Sequence, residues 1–153
     1  MSALRHKPLM QLNLTVAFGA MTQIGVTPAG LRRIAPVTGG TFVGERLRGS
    51  VLGGADWVIN RPDGAMAIDV RLTLKTDDAA AIYLSYRGRF LAAPEAMSRF
   101  ARGALLQTSE YSLAITAQFE CGHESYRWLN DVIAVGTGEQ TKEGPIYTLY
   151  EIG

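Results

Sequence analysis

The chain has 153 residues, a formal charge of +1, 47% apolar and 19% charged residues. That balance fits one domain over residues 1–153 with a real core, and it excludes a disordered chain. It also excludes a global field that would attract nucleic acid. Arg32-Arg33 and Arg46/Arg48 are local basic spots with no interleaved aromatics, and they read as solvated strand faces. The single cysteine, Cys121, can form no intrachain disulfide. The N-terminal stretch lacks a long apolar core, and no apolar run approaches the roughly 18 residues of a spanning helix. The expectation is a cytoplasmic protein with neither a membrane nor a nucleic acid as partner.

Pro8 to Phe18 alternates, with Leu12, Leu14, Val16 and Phe18 on one face, and reads as a strand. Met21 to Val26 continues it or forms a second short strand. Thr27-Pro28-Ala29-Gly30 is a turn. Leu31 to Val37 and Phe42 to Leu52 are extended, separated by Gly39-Gly40. Glycines inside a strand pattern signal bulges or barrel corners. They do not lead into Gly-Lys-Ser/Thr and a helix, so no phosphate loop is read there.

Ala55 to Arg89 reads as three strands joined by turns at Arg61-Pro62-Asp63-Gly64 and Thr76-Asp77-Asp78. Its middle strand alternates Ile68, Val70, Leu72 and Leu74 with Asp69, Arg71, Thr73 and Lys75. Pro94 to Arg102 is the one helix candidate, with Pro at its start, Glu95 in its first turn, Arg99 near its end and Gly103 beyond it. Ser109 to Phe119, Ser125 to Val135 and Pro145 to Ile152 read as further strands. Many short strands with one helix indicate an all-β fold, and a closed antiparallel barrel removes the edges of such a sheet.

Several segments occur in order: Gly39-Gly40-Thr41-Phe42, Gly53-Gly54-Ala55-Asp56-Trp57, Arg61-Pro62-Asp63-Gly64, Leu74-Lys75-Thr76-Asp77-Asp78, Phe119-Glu120-Cys121-Gly122 and Tyr126-Arg127-Trp128-Leu129-Asn130. Together they resemble the DUF3237, or UPF0311, family. The resemblance implies a closed antiparallel barrel similar to that of allene oxide cyclase, and by fold analogy a pocket for a small organic molecule. It also puts the family's recurrent polar residues at Asp56, Asp69, Arg71, Tyr83, Glu120 and Asn130. Cys121 stands where the family usually has threonine, and Ala114 where it usually has arginine.

The polar row of Asp69 and Arg71 has three readings: part of an interior pocket, a buried structural ion-pair network, or a solvated face. On the pocket reading, Asp69, Glu120 and Asp56 are the candidate acids and bases. Arg71 and Tyr83 would stabilise charge on a carbonyl oxygen. Trp57, Tyr111, Trp128 and Asn130 would hold the substrate. The apolar row Val70/Leu72/Leu74 would then face outward and need a cover, which predicts a homodimer or other homo-oligomer. His6 and His123 make no zinc pattern, and Cys121 reads as an inert buried cysteine.

The leading functional expectation is a small-molecule enzyme needing no metal or organic cofactor. It would act by acid/base chemistry (cyclisation, isomerisation or addition–elimination) on a hydrophobic, aromatic or polyketide-like substrate. The alternatives are a carrier or sensor of such a molecule, and a filled barrel serving only as an assembly subunit.

Overall fold

A computed structural model describes residues 1–153. Nine strands form one antiparallel sheet: β1 (His6–Val16), β2 (Thr22–Thr27), β3 (Gly30–Val43), β4 (Arg48–Asn60), β5 (Met66–Thr76), β6 (Ala81–Ala92), β7 (Tyr111–Glu120), β8 (Ile133–Gln140) and β9 (Pro145–Ile152). Their order is β1-β9-β8-β7-β6-β5-β4-β3-β2, and β1 also pairs with β3. That last pairing closes a barrel of eight strands. β1 runs beside Val37–Val43 of β3, and β2 takes over the same edge beside Gly30–Ile34. β1 and β2 are thus one barrel strand interrupted by a short 3-10 turn at Phe18–Ala20.

The upper end of the barrel carries that interruption, the β4–β5 and β8–β9 turns and the single α-helix, α1 (Pro94–Ala101). The chain enters α1 through Pro94, and the Arg99 guanidinium binds both Glu95 one turn back and Glu110. Phe100 of α1 stacks on Phe90, centroids 4.7 Å apart, and Tyr111 stacks on Phe90 at 5.0 Å. The helix is therefore pinned over the upper end by an aromatic triplet. The lower end is closed by a 3-10 segment, Glu124–Asp131, where the sequence suggested a strand. No helix is long and apolar enough to cross a membrane.

The lower interior is filled. Leu12, Phe42, Leu72, Leu74, Ile82, Leu84 and Leu149 are all at most 2% exposed. β5 shows why. Its burial alternates strictly, with Ile68, Val70, Leu72 and Leu74 buried and Arg71, Thr73 and Lys75 exposed. Each fully buried aliphatic side chain is worth about 1.5–3 kcal/mol. A row holding Asp, Arg and Lys would have to lose its water to take that place. The apolar row faces in, so the interior reading of Asp69 and Arg71 is overturned: Asp69 lies on the outer wall, 3.7 Å from Arg87, and Arg71 is exposed beside Trp57. The barrel itself covers Val70, Leu72 and Leu74, which leaves no outward apolar row there to call for a dimer.

Candidate functional site

A β-bulge in β4 decides which polar groups enter the barrel. Val51 pairs with Leu74, Gly53 with Thr73, Gly54 with Leu72 and Asp56 with Val70. The register shifts between Val51 and Gly53, so Leu52 is the extra residue. Without it, strict alternation from the buried Val51 would turn Gly53, Ala55 and Trp57 inward. With it, Asp56 and Val58 face inward beside the buried Val70 and Ile68, and Trp57 turns out to meet Arg71, 5.2 Å from ring centroid to guanidinium carbon. The glycines permit this. A side chain at Gly54 would put Cβ 2.0 Å from the Arg71 carbonyl oxygen.

Asp56 is partly buried on the inner wall. Its Oδ1 accepts the backbone N–H of Asp69 at 3.1 Å. Burial is the main cause that pushes its carboxyl up from the ordinary 3.8 to about 7. The Asp69 N–H and the charges of Arg33 and Arg32 oppose the shift, and the Asp69 charge adds to it. No arginine forms an ion pair with Asp56: the Asp69 partner is Arg87, and the other acids in ion pairs are Asp63, Asp77, Glu95, Glu110 and Glu151.

Two phenols share this interior. Tyr86 follows Val70 in the register and lies level with Asp56. Tyr147 meets it edge-to-face, centroids 5.2 Å apart. Both side chains are almost wholly buried. Burial first, and then the Tyr147 and Asp56 charges, push Tyr86 well above the usual phenol range, and burial and the Asp56 charge do the same for Tyr147. A hydrogen bond from Tyr86 to Tyr147 adds to the rise of Tyr86 and offsets part of that of Tyr147. Both hydroxyls stay protonated, and the Tyr147 O–H is the one left to donate into the interior. Room for the Tyr147 ring comes from Gly138, where an added Cβ would lie 2.7 Å from the ring.

Two residues above Asp56 on the same face complete the group. Arg33 pairs with Val58 in register, and its Nη2 donates to Asn60 Oδ1 at 2.6 Å. Its Nε is buried without any hydrogen-bond partner. Arg33 is thus only partly solvated, with one edge of its guanidinium inside the wall. The mouth around these groups carries exposed apolar side chains: Phe18, Ile24, Val26 and Leu105.

Of the residues singled out from sequence, only Asp56 joins this cluster. Tyr83 and Glu120 face each other on the outer wall, in register on β6 and β7. Trp57 is outside, as described. Tyr111 stacks under α1, and its hydroxyl accepts the Gln140 N–H at 2.8 Å. Trp128 and Asn130 belong to the lower cap. Arg46 lies 4.0 Å over the Trp128 ring while also binding Glu151. Asn130 accepts the Cys121 N–H and donates to the Cys121 and Arg127 carbonyls. These are structural roles. Cys121 is buried, and its thiol donates to the Ala81 carbonyl at 3.2 Å.

Tyr86, Tyr147, Arg33 and Asn60 were not singled out from sequence. The usable signal for Tyr86 was its place in the inward series Ile82, Leu84, Tyr86. For Tyr147 it was the pairing with Leu149.

Two surface depressions lie elsewhere. One, of about 360 Å³, is a polar hollow at the lower end between Arg46, Arg48, Asp77, Asp78 and Tyr126. The other, of about 650 Å³, is an open groove on the outer wall across β6–β9, flanked by Arg87, Arg89 and Tyr150. Neither contains Asp56. An open surface hollow lacks the buried, convergent polar groups that make chemistry, so the inner-wall cluster is the better candidate.

Comparisons with known proteins agree with this architecture. A UPF0311 protein of Rhodopseudomonas palustris is 29% identical over 140 residues, covering 91% of this chain and 92% of the relative. A crystal structure of a beta-barrel like protein from Acinetobacter baumannii AYE superimposes with a TM-score of 0.85 at 35% identity, over 100% of this chain and 98% of that one. An enzyme from Penicillium herquei shares the fold with a TM-score of 0.75 at 22% identity, over 100% and 97% of the two chains. The profile of the family described as "Protein of unknown function (DUF3237)" matches residues 5–152. The chain belongs to the DUF3237 family, and its fold is that family's closed antiparallel β-barrel.

Proposed function

We propose that the protein is a small-molecule enzyme that moves a proton with Asp56 and needs no metal or organic cofactor to do so. The observation that carries this reading is an inward carboxyl raised to about 7, free of any arginine ion pair, beside two phenols that stay protonated. A base with that affinity is populated in both forms near neutral pH, which is what general acid/base work requires. The Asp56 carboxylate would take a proton from the carbon next to a carbonyl. The electron pair would move onto the carbonyl oxygen, where the Tyr147 hydroxyl, itself accepting from Tyr86, donates to the enolate. Asp56 would then return the same proton to another atom of the substrate. Charge is balanced, and nothing is consumed. Isomerisation, cyclisation and elimination all share this first step.

A carrier needs no titrating group at its ligand, so Asp56 favours the enzyme over the carrier. The Penicillium herquei neighbour, described as an enzyme, is compatible through fold alone. The test is exchange of the α-protons of 2-tetralone into D2O, followed by proton NMR. The wild type should accelerate the exchange at least about tenfold, and Asp56→Asn should return it to the buffer rate. Equal rates for the two proteins across a panel of aryl ketones would overturn the proposal.

A further inference from the structure

The geometry points to a substrate that carries a carboxylate, anchored by Arg33 and Asn60 at the upper mouth of the barrel. This inference rests on the reading of Asp56 given above and adds the substrate's chemical class.

Arg33 lies on the inner side of β3, against Val58, with its Nε sealed from water and without a partner. A buried donor left unmade is costly, and guanidinium is the group for which that cost is greatest. Nothing in the chain supplies the missing acceptor. Asn60 Oδ1 takes one hydrogen of Nη2. That fixes the plane of the guanidinium and turns the Asn60 amide nitrogen away from it, as a further donor. A planar oxyanion matches an edge of N–H groups held in this way.

The surroundings favour a carboxylate on an apolar body. Arg33 is the one inward arginine of the cluster, too little charge for a phosphate. Its outward neighbour Arg32 is turned to the Trp57 carbonyl, with Nη1 at 2.5 Å. The rim residues Phe18, Ile24, Val26 and Leu105 offer apolar contact above it. The nearest inner-wall acid, Asp56, is largely uncharged below its raised value and so does not repel an incoming anion there.

The probes are 2-naphthoate and its neutral isostere 2-naphthamide, titrated calorimetrically into the intact protein at pH 6. The carboxylate should bind at least about tenfold more tightly, the scale of one charge-assisted contact. Arg33→Met should bring the two probes to within about twofold of one another, and Arg33→Lys, which keeps the charge but lacks the planar fork, should retain only part of the preference. Arg87→Ala with Arg89→Ala, on the outer groove, should leave the preference intact. Without any substitution, the Arg33 Nε–H resonance should shift when naphthoate binds and stay in place with naphthamide.

Equal binding of the two probes by the wild type would overturn the inference. So would a preference that survives Arg33→Met or stays whole in Arg33→Lys, one that disappears with the outer arginines, or an unmoved Nε–H resonance. The proton-transfer reading fails separately: if Asp56→Asn leaves 2-tetralone exchange unchanged while the naphthoate preference depends on Arg33, the anchor stands and the acid/base role falls.

Discussion

Asp56 and Asp69 face opposite sides of the same barrel wall, yet the backbone N–H of Asp69 donates to Asp56 Oδ1 at 3.1 Å. The Asp69 carboxylate meets water and Arg87, while the Asp56 carboxyl meets the core. Two acids on adjacent strands thus sit in different surroundings. Asp56 should give a carboxyl carbon NMR titration centred near 7. Because the folded value lies above the unfolded one, the folded state binds more protons between about pH 4 and pH 7. Stability from this group is complete below about pH 4 and is lost as pH rises to about 7, by up to roughly 4 kcal/mol. Asp56→Asn should remove that slope. Chemical denaturation at pH 4.5 and pH 8 would check it, and parallel curves for the two proteins would contradict the raised value.

The sequence carried the fold well because barrel strands alternate and their turns use Pro, Asp and Gly. The helix at Pro94 and the turn at Thr76-Asp77-Asp78 were readable for that reason. The site was readable only in part. Asp56 and Trp57 are adjacent and cannot both face inward, and only the bulge at Leu52 decides between them. Glycines at 53 and 54 signalled that a bulge was present, but its parity was not legible. The row Asp69, Arg71, Thr73, Lys75 is legible as a face, but four polar residues in line suit a pocket floor as well as an outer wall, so its side of the wall is not legible. The extended reading of Ser125 to Val135 failed because Asn130 bonds the backbone locally and winds the segment into 3-10 turns.

Arg71→Ala should change stability by less than about 1 kcal/mol, since the side chain is exposed and its cation–π contact with Trp57 is solvated. Leu72→Ala, one residue along and facing in, should cost about 2–5 kcal/mol. A thermal melt separates the two readily. A large loss for Arg71→Ala would return the polar row to the interior.

Asn130→Ala should destabilise by about 1–3 kcal/mol, because it strips partners from the Cys121 N–H and from two carbonyls in the lower cap. The upper mouth lies at the other end of the barrel. Binding of 2-naphthoate, measured well below the melting temperature, should therefore be unchanged. Lost stability together with lost binding would mean that the two ends are coupled.

Gly54→Ala tests the bulge that brings Asp56 inside. Gly54 has φ of 156° at the bend, and a Cβ there would sit 2.0 Å from the Arg71 carbonyl oxygen and 3.0 Å from its carbon. Both atoms are backbone of the neighbouring strand and cannot step aside as a side-chain tip could. β4 must either move away from β5 or change its local path. Moving away weakens the ladder that holds Asp56 opposite Val70. Changing the path disturbs the register that turns Asp56 inward. The expected cost is at least about 2 kcal/mol, in line with strained backbone and overpacked sites. The Asp56 titration should also move from near 7 toward the ordinary carboxylate range as water reaches it. Glycine at 19, on the short 3-10 turn, has open space around its Cβ direction, so Gly19→Ala is the matched control and should melt within about 0.5 kcal/mol of the parent. If Gly54→Ala melts like Gly19→Ala and Asp56 still titrates near 7, the bulge is not what holds the acid inside.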